Sequence, residues 1–308
     1  MKAVVYRKYG TADVLNLTEI DRPAPKSDEV LIRIISTSVS AADWRLRKAE
    51  PFLVRIFNGL FTPKKVKVLG FEISGIVEEA GKSVNFFKRG DAVFAYCGLK
   101  FGGYAEYICL KETDIIAHKP GIMTFEEAAT TPLGSLTALF FLKKANISNG
   151  QKILIYGASG SVGTFAIQLA KYFGANVTAV CSTRNIELAK SLGADYVIDY
   201  TNTDLNNLDV KFDIVFDAVG KLHKSIYKQI IQPKGKLVSV KSRSKPTKMD
   251  LHFIKELIES KKLISIVDKT YLLKDIREAH RYVEQFRKSG NVAVLLNERS
   301  KIYKNNTQ

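Results

Sequence analysis

Cysteine is scarce in this chain of 308 residues: Cys97, Cys109 and Cys181 are the only three, and they stand far apart. So few thiols, so scattered, exclude a disulfide framework and a closed structural zinc site, and reduced cysteines are expected. The four histidines, His118, His223, His252 and His280, lie in different segments without metal-ligand spacing, and each reads as a surface or capping residue. No run of about 18 or more apolar residues occurs, so no membrane-spanning helix is expected. The opening MKAVVYRKYG alternates like a strand and lacks the apolar core and small-residue cleavage site of a signal peptide, which points to a cytoplasmic protein. Acidic residues are in short supply, with 31 Asp and Glu against 47 Lys and Arg and a net charge of +16. Such a field attracts nucleic acid and equally steers any small anionic ligand. The bases are spread widely, at Lys64, Lys65 and Lys67, Lys143 and Lys144, and Lys241, Arg243, Lys245 and Lys248, and no recognised nucleic-acid module accompanies them. Salt-sensitive nucleic-acid binding is therefore expected only as a weak side property.

What the chain does contain is KILIYGASGSVG, from Lys152 to Gly163. Ile153, Leu154, Ile155 and Tyr156 read as a buried strand, and Val162, Ala166, Ile167, Leu169 and Ala170 give the next segment an apolar helical face ending at Gly174. Strand, glycine turn and helix fit the Rossmann dinucleotide fingerprint, which seats a diphosphate at a helix N-terminus. Gly160 and Gly163 align with the second and third glycines of the consensus, and Ala158 with the first. Further strands are predicted at 176–181, 196–199, 212–217 and 235–240, with helical stretches around 186–192 and 221–231. This alternation predicts a doubly wound α/β sheet. The bland alternative is a nucleotide-free α/β domain whose glycines serve only packing.

Cofactor choice is written after the second strand, where an acid usually receives the adenosine ribose hydroxyls. In VTAVCSTRN the positions are Cys181 and Ser182, and no carboxylate comes before Glu187. Arg184 can pair with a 2'-phosphate, with Ser182, Thr183 and Asn185 as neutral donors, or it merely begins a solvated helix. Absence of the acid favours NADPH.

The first 120 or so residues differ in texture, with short β-like runs at 2–6, 29–37, 71–79, 91–96 and 103–109 and turns at Pro23, Pro25, Gly81 and Gly90. An antiparallel barrel is expected there, and residues 124–144 look helical. Phe52, Leu53, Ile56, Phe57 and Phe61 either pack their loop onto this domain or wall a flat acceptor, packing being favoured.

In sequence order the chain carries ISTSVSAADWRLR, GFEISGIVEEAG, GDAVFAY, GGYAEY, AATTPLGSLTAL, YGASGSVGTFAIQLAK, LGADYVIDY, DAVG and YLLKDIREAHRYVEQFRKSGNVAVLL. Together, from Met1 to about Leu296, these resemble the medium-chain dehydrogenase/reductase superfamily and, within it, the zinc-free NADPH:quinone oxidoreductase-like branch. The resemblance implies a GroES-like catalytic domain at 1–123, completed by 269–308, a Rossmann NADP(H)-binding domain at 124–268, and a homodimer. Zinc-dependent relatives carry a Cys near Ser40 and a His where this chain has Phe71, and residues 128–139 hold no His, Cys, Asp or Glu. With only Glu72 left of that donor set, no metal is expected. Without a Lewis acid, an activated acceptor such as a quinone or an α,β-unsaturated carbonyl suits hydride delivery better than an ordinary alcohol does.

By resemblance, Ser40 and Thr131 line the nicotinamide, and Ala158, Ser159, Gly160, Ser161, Val162 and Gly163 form the diphosphate turn. Ser182, Arg184 and Tyr200 make the adenosine-phosphate pocket. Asp217 to Gly220, with Ala218 and Val219, forms the ribose-side loop, and Val240, Lys241 and Ser242 approach the carboxamide. Arg45 is placed to polarise a substrate carbonyl, or is a surface charge on a short helix. Two further functions stay open: an acyl-thioester double-bond reductase and a noncatalytic nucleic-acid binder.

Overall fold

A computed structural model describes residues 1–298, in which the chain forms two compact units. One comprises Met1–Leu133 and the segment from Val267 onward, and the other Gly134–Ile266.

The first unit begins with a two-stranded antiparallel ribbon, β1 (Lys2–Val5) and β2 (Asn16–Glu19). Its large sheet is built on β3 (Glu29–Ser38), which is buried along its length apart from the half-buried Arg33. Helices α1 (Ala41–Lys48) and α2 (Leu53–Asn58) follow, then β4 (Glu72–Ala80), β5 (Ala92–Tyr96), β6 (Tyr107–Lys111), β7 (Ile115–His118) and α3 (Phe125–Ala129). After α4 (Pro132–Lys144), β8 (Lys152–Tyr156) and α5 (Ser161–Tyr172) open the second unit. There follow β9 (Asn176–Cys181), α6 (Ile186–Ser191), β10 (Tyr196–Asp199), β11 (Phe212–Asp217), α7 (Lys224–Ile230), β12 (Ile231–Ser239) and α8 (Lys248–Glu259). The chain then returns through β13 (Val267–Leu272), α9 (Ile276–Glu284) and β14 (Asn291–Leu295).

Seven strands make the first unit's sheet, in the order β13-β14-β3-β4-β5-β7, with β6 also pairing β3. The pairing is antiparallel except for β13 with β14, so the sheet is mixed. Every residue of β14 is buried, and Val292 and Val294 share a core with Ile32, Ile73, Val93, Leu110 and Trp44. The returning segment is thus structural to this unit.

In the second unit five parallel strands take the order β10-β9-β8-β11-β12. The chain winds outward from β8 to β10, then resumes on the other side of β8 with β11, and ligands bind beyond the strand ends where winding reverses in this way.

Two expectations need correction. The single helical stretch at 124–144 is two helices, because Pro132 has no N–H to continue α3 and instead starts α4. Residues 124–133, expected with the nucleotide-binding domain, fold with the first unit: Ser74 Oγ donates to the Phe125 carbonyl at 2.5 Å and the Leu133 N–H to Glu72 at 2.6 Å. The chain re-enters that unit at Val267.

Candidate dinucleotide-binding site

Beyond β8 the backbone turns at Gly157, which has φ +80°. A Cβ there would lie 2.0 Å from Val219 Cγ2, so both the conformation and the close approach require glycine. The tight turn of the fingerprint therefore falls at Gly157, one residue before the Ala158 that the consensus alignment assigns to it. The N–H groups of Gly157 and Ala158 both donate to the Val180 carbonyl, at 3.1 and 3.0 Å, fastening the turn to β9. At Gly163 a Cβ would meet the Gly157 carbonyl oxygen at 2.2 Å, so α5 sits directly on the turn. Gly160 is the N-cap of α5, and the nearest atom to a Cβ there would be the Gly157 oxygen at 3.5 Å, leaving that side open to an approaching group. The first turn of α5, at Ser161, Val162 and Gly163, offers N–H groups that have no helical acceptor. An open glycine side at the positive end of a 12-residue helix fits a diphosphate.

The loop after β9 is tied to this turn by Asn185, expected as a donor to the phosphate but turned inward here. Asn185 is buried, and its Nδ2 donates to Ser159 Oγ at 3.0 Å and to Ser182 Oγ at 3.2 Å. Arg184 is exposed and makes no ion pair among the described residues. Tyr200 is also exposed, and its N–H donates to the Cys181 carbonyl at 3.1 Å.

An acid does stand at this edge. β10 runs beside β9 with Asp199 opposite Cys181. Its carboxylate accepts from Thr183 Oγ1 at 2.5 Å, Thr201 Oγ1 at 2.6 Å, the Thr201 N–H at 2.9 Å and Asn202 Nδ2 at 2.8 Å. Those donors, Thr183 first, hold its pKa down at about 2. Its acceptor sites are thereby engaged by the loops that follow β9 and β10.

The remaining wall is organised by Asp217, buried at the end of β11. Its carboxylate accepts the N–H groups of Val219, Gly220, Lys221 and Leu222, the shortest at 2.7 Å, and Ser239 Oγ at 3.2 Å. Ala218 donates to the Tyr156 carbonyl at 3.0 Å, which binds this loop to the end of β8. Val240 donates to the Asp217 carbonyl at 3.1 Å, Lys241 to Ser239 Oγ at 3.3 Å and Ser242 to the Ser239 carbonyl at 3.1 Å. The sheet thus gathers the fingerprint turn and the ends of β9, β11 and β12 at one edge.

Ser40, Arg45 and Thr131 belong to the first unit. Ser40 caps α1 reciprocally with Asp43: Ser40 N–H and Oγ donate to the Asp43 carboxylate at 2.9 and 2.6 Å, and Asp43 N–H donates back to Ser40 Oγ at 3.3 Å. Burial pushes Asp43 up to about 6, against the hydrogen bonds from Ser40 and the Gly70 N–H. Thr131 is fully buried, and its Oγ1 donates to the Glu127 carbonyl at 2.7 Å. Arg45 is half-buried in the last turn of α1, with its guanidinium carbon 5.5 Å from the Trp44 ring centre and no ion pair among the described residues. Phe71 packs edge-on against Phe101, with ring centres 4.8 Å apart. Glu72 is buried and accepts from Ser38 Oγ at 2.5 Å and from Leu133 N–H. Burial pushes it up to about 8. Among the described residues no three His, Cys, Asp or Glu side chains gather as a metal would need.

His280 corrects another expectation. It is fully buried on α9, hydrogen-bonded through Nε2 to the Tyr104 hydroxyl at 3.1 Å. Burial, joined by the charge of Arg47, drives its pKa well below the usual histidine value.

Residues 26–121 match the family described as alcohol dehydrogenase GroES-like domain, and residues 161–282 match that described as zinc-binding dehydrogenase. The chain is 35% identical to a 2-methylene-furan-3-one reductase of Solanum lycopersicum, over 96% of this chain and 79% of the relative. It is 34% identical, with the same coverage, to a chloroplastic NADPH-dependent alkenal/one oxidoreductase of Arabidopsis thaliana. Among solved structures, the quinone oxidoreductase of Coxiella burnetii superposes with a TM-score of 0.83 at 27% identity, covering 96% of this chain and 99% of that one. The chain belongs to the medium-chain dehydrogenase/reductase superfamily, in its zinc-free quinone oxidoreductase-like branch.

Proposed function

We propose that this chain is an NADPH-dependent reductase of quinones or α,β-unsaturated carbonyls that works without a metal. The observation that carries the cofactor choice is the state of the two charged groups beside β9: Asp199 is engaged by Thr183, Thr201 and Asn202, while the Arg184 guanidinium is exposed with no ion pair among the described residues. An engaged carboxylate is a poor acceptor for ribose hydroxyls, and a free guanidinium fork suits a phosphate monoester. Ser182, whose Oγ accepts from Asn185 and so keeps its own proton to give, adds a neutral donor beside it. The relatives' names, an alkenal/one oxidoreductase and a furanone reductase, support the acceptor class.

When bound, the reduced nicotinamide supplies a hydride that an electrophilic acceptor takes at carbon. The chain's own part is positioning. The N–H groups at the start of α5 hold the diphosphate, Asp217 fixes the 218–222 backbone, and Arg184 holds the phosphate. Arg45 supplies a cation able to polarise an acceptor oxygen.

The test is NADPH and NADH oxidation side by side, at fixed salt, with a simple quinone and a small enone. NADPH should be preferred, and Arg184→Ala should cut that preference about 10- to 100-fold, the value of a charge-assisted hydrogen-bond pair. Equal use of both cofactors by the unmodified chain, or a preference untouched by the substitution, would overturn the assignment of Arg184.

A further inference from the structure

From Pro51 to Phe71 the sequence contains Arg55, Lys64, Lys65 and Lys67 and not one acidic residue. The same stretch carries Leu60 together with Phe52, Leu53, Ile56, Phe57 and Phe61, the five expected to pack the loop onto the domain in preference to walling a flat acceptor. Instead they face outward: Phe61 is 82% exposed, Leu53 and Ile56 69%, and Phe52 63%. An exposed apolar group of this density marks a surface that meets another body.

The segment is fixed from beneath. Asn58 is buried, its Nδ2 donating to the Tyr6 hydroxyl at 2.9 Å while its Oδ1 accepts the Val66 N–H at 2.8 Å. Tyr9 donates to the Gly59 carbonyl at 2.7 Å. The apolar side chains therefore project from an anchored base. The cations lie among them, with Arg55 5.8 Å from the Phe52 ring centre and Lys65 5.3 Å from that of Phe57. None of the four is in an ion pair among the described residues.

We propose that the 52–67 segment docks this chain onto an anionic lipid bilayer, the apolar side chains entering the interface and Arg55, Lys64, Lys65 and Lys67 meeting the headgroups. Apolar insertion and electrostatic attraction acting together are what firm membrane attachment takes, and both are here on one short stretch. Long cationic side chains with apolar stems suit this boundary. An acidic protein surface would satisfy the cations. It would leave the apolar group to find a complementary pocket, and the stretch 52–61 offers that partner no uncharged polar side chain except the buried Asn58. This inference does not rest on the reductase reading.

The experiment is co-sedimentation of the full chain with phosphatidylcholine vesicles, with and without phosphatidylglycerol, at low and high salt. Binding is expected to the anionic vesicles only, and to weaken with salt. Phe52→Ser with Phe61→Ser should lower the partition coefficient at least about tenfold. Lys64→Ala with Lys65→Ala should lower it roughly fivefold per lysine removed. Lys82→Ala with Arg89→Ala removes the same charge from exposed positions elsewhere and should leave binding unchanged. Circular dichroism checks folding, and Leu53→Ser with Ile56→Ser replaces the phenylalanine pair if that pair misfolds. Absence of binding overturns the proposal, as does a loss equal in the control variant, which would assign binding to the general positive field. If the wild type ignores vesicles and sedimentation velocity shows a dimer dispersed by the phenylalanine substitutions, the face joins two copies of this chain and the proposal also fails.

Discussion

Glu72 carries the clearest titration in the first unit. Buried between Ser38 and the Leu133 N–H, it has a folded pKa of about 8 against an ordinary value of 4.5. Between those two pH values the folded chain keeps a proton that the unfolded chain has released. The stability contributed is therefore complete below pH 4.5 and lost as pH rises toward 8, with a limiting slope of about 1.4 kcal/mol per pH unit. Asp43 runs in the same direction over a lower window, from 3.8 to about 6, and is common to wild type and variant. Glu72→Gln keeps an acceptor for Leu133 and a partner for Ser38, so its urea midpoint should be less pH-dependent than the wild type's. Midpoints of the two proteins measured at about pH 5 and about pH 8 should differ in the wild type's disfavour at the higher value. Parallel pH dependence would show that Glu72 ionises as easily in the fold as outside it. Of these residues, Glu72 was read from the sequence as a buried hydrogen-bonding carboxylate and not a metal ligand. The sequence also held local signals that the expectations left unused: Ser40 and Asp43 form a capping box within SAAD, and His280, expected at the surface or as a cap, shares with Ile276, Ala279 and Val283 the spacing of one buried helical face. Gly157 and Asp199 were not legible, because what they do depends on Val219 and on the neighbouring strand end, far off in sequence.

At the level of elements, the strand, turn and helix from Lys152 to Tyr172 stand as expected because every determinant is local: a β-rich apolar run, closely spaced glycines, then a helical apolar face. The 124–144 stretch failed for a local reason too, Pro132, whose effect was outweighed by the surrounding helix formers. β2 and β7 escaped notice because NLTE and IIAH show no clear apolar alternation and owe their existence to partners, Lys2–Val5 for one and Ala92–Tyr96 for the other. The contact between α5 and its turn is the one most sensitive to substitution. Gly163→Ala would push a Cβ to 2.2 Å from the Gly157 carbonyl oxygen and 2.6 Å from that of Ala158, both backbone atoms with nowhere to rotate. Relief requires α5 to move off the turn. We expect a stability loss of about 1–3 kcal/mol in urea unfolding, the usual cost of overpacking. NADPH affinity should fall beyond that, since the same shift misplaces the N–H groups of Ser161 and Val162. A variant of unchanged affinity would mean that the diphosphate is not held by the start of α5.

Over the whole molecule the governing quantity is a net charge of +16. On the proposed NADPH assignment, a dinucleotide carrying an additional phosphate monoester would be drawn in by this field as well as by Arg184, and salt would separate the two contributions. Between about 0.01 and 1 M salt the Debye length contracts from about 30 Å to about 3 Å, which silences distant lysines before it touches a paired guanidinium. For NADPH, kcat/KM should therefore fall as salt rises while kcat stays level, and the slope should be steeper than for NADH. Arg184→Ala should lower kcat/KM at every salt concentration and retain most of the slope, because the remaining bases still steer. If the substitution abolishes the slope altogether, attraction is local to the phosphate pocket, and the surplus of lysine elsewhere serves a surface other than this one.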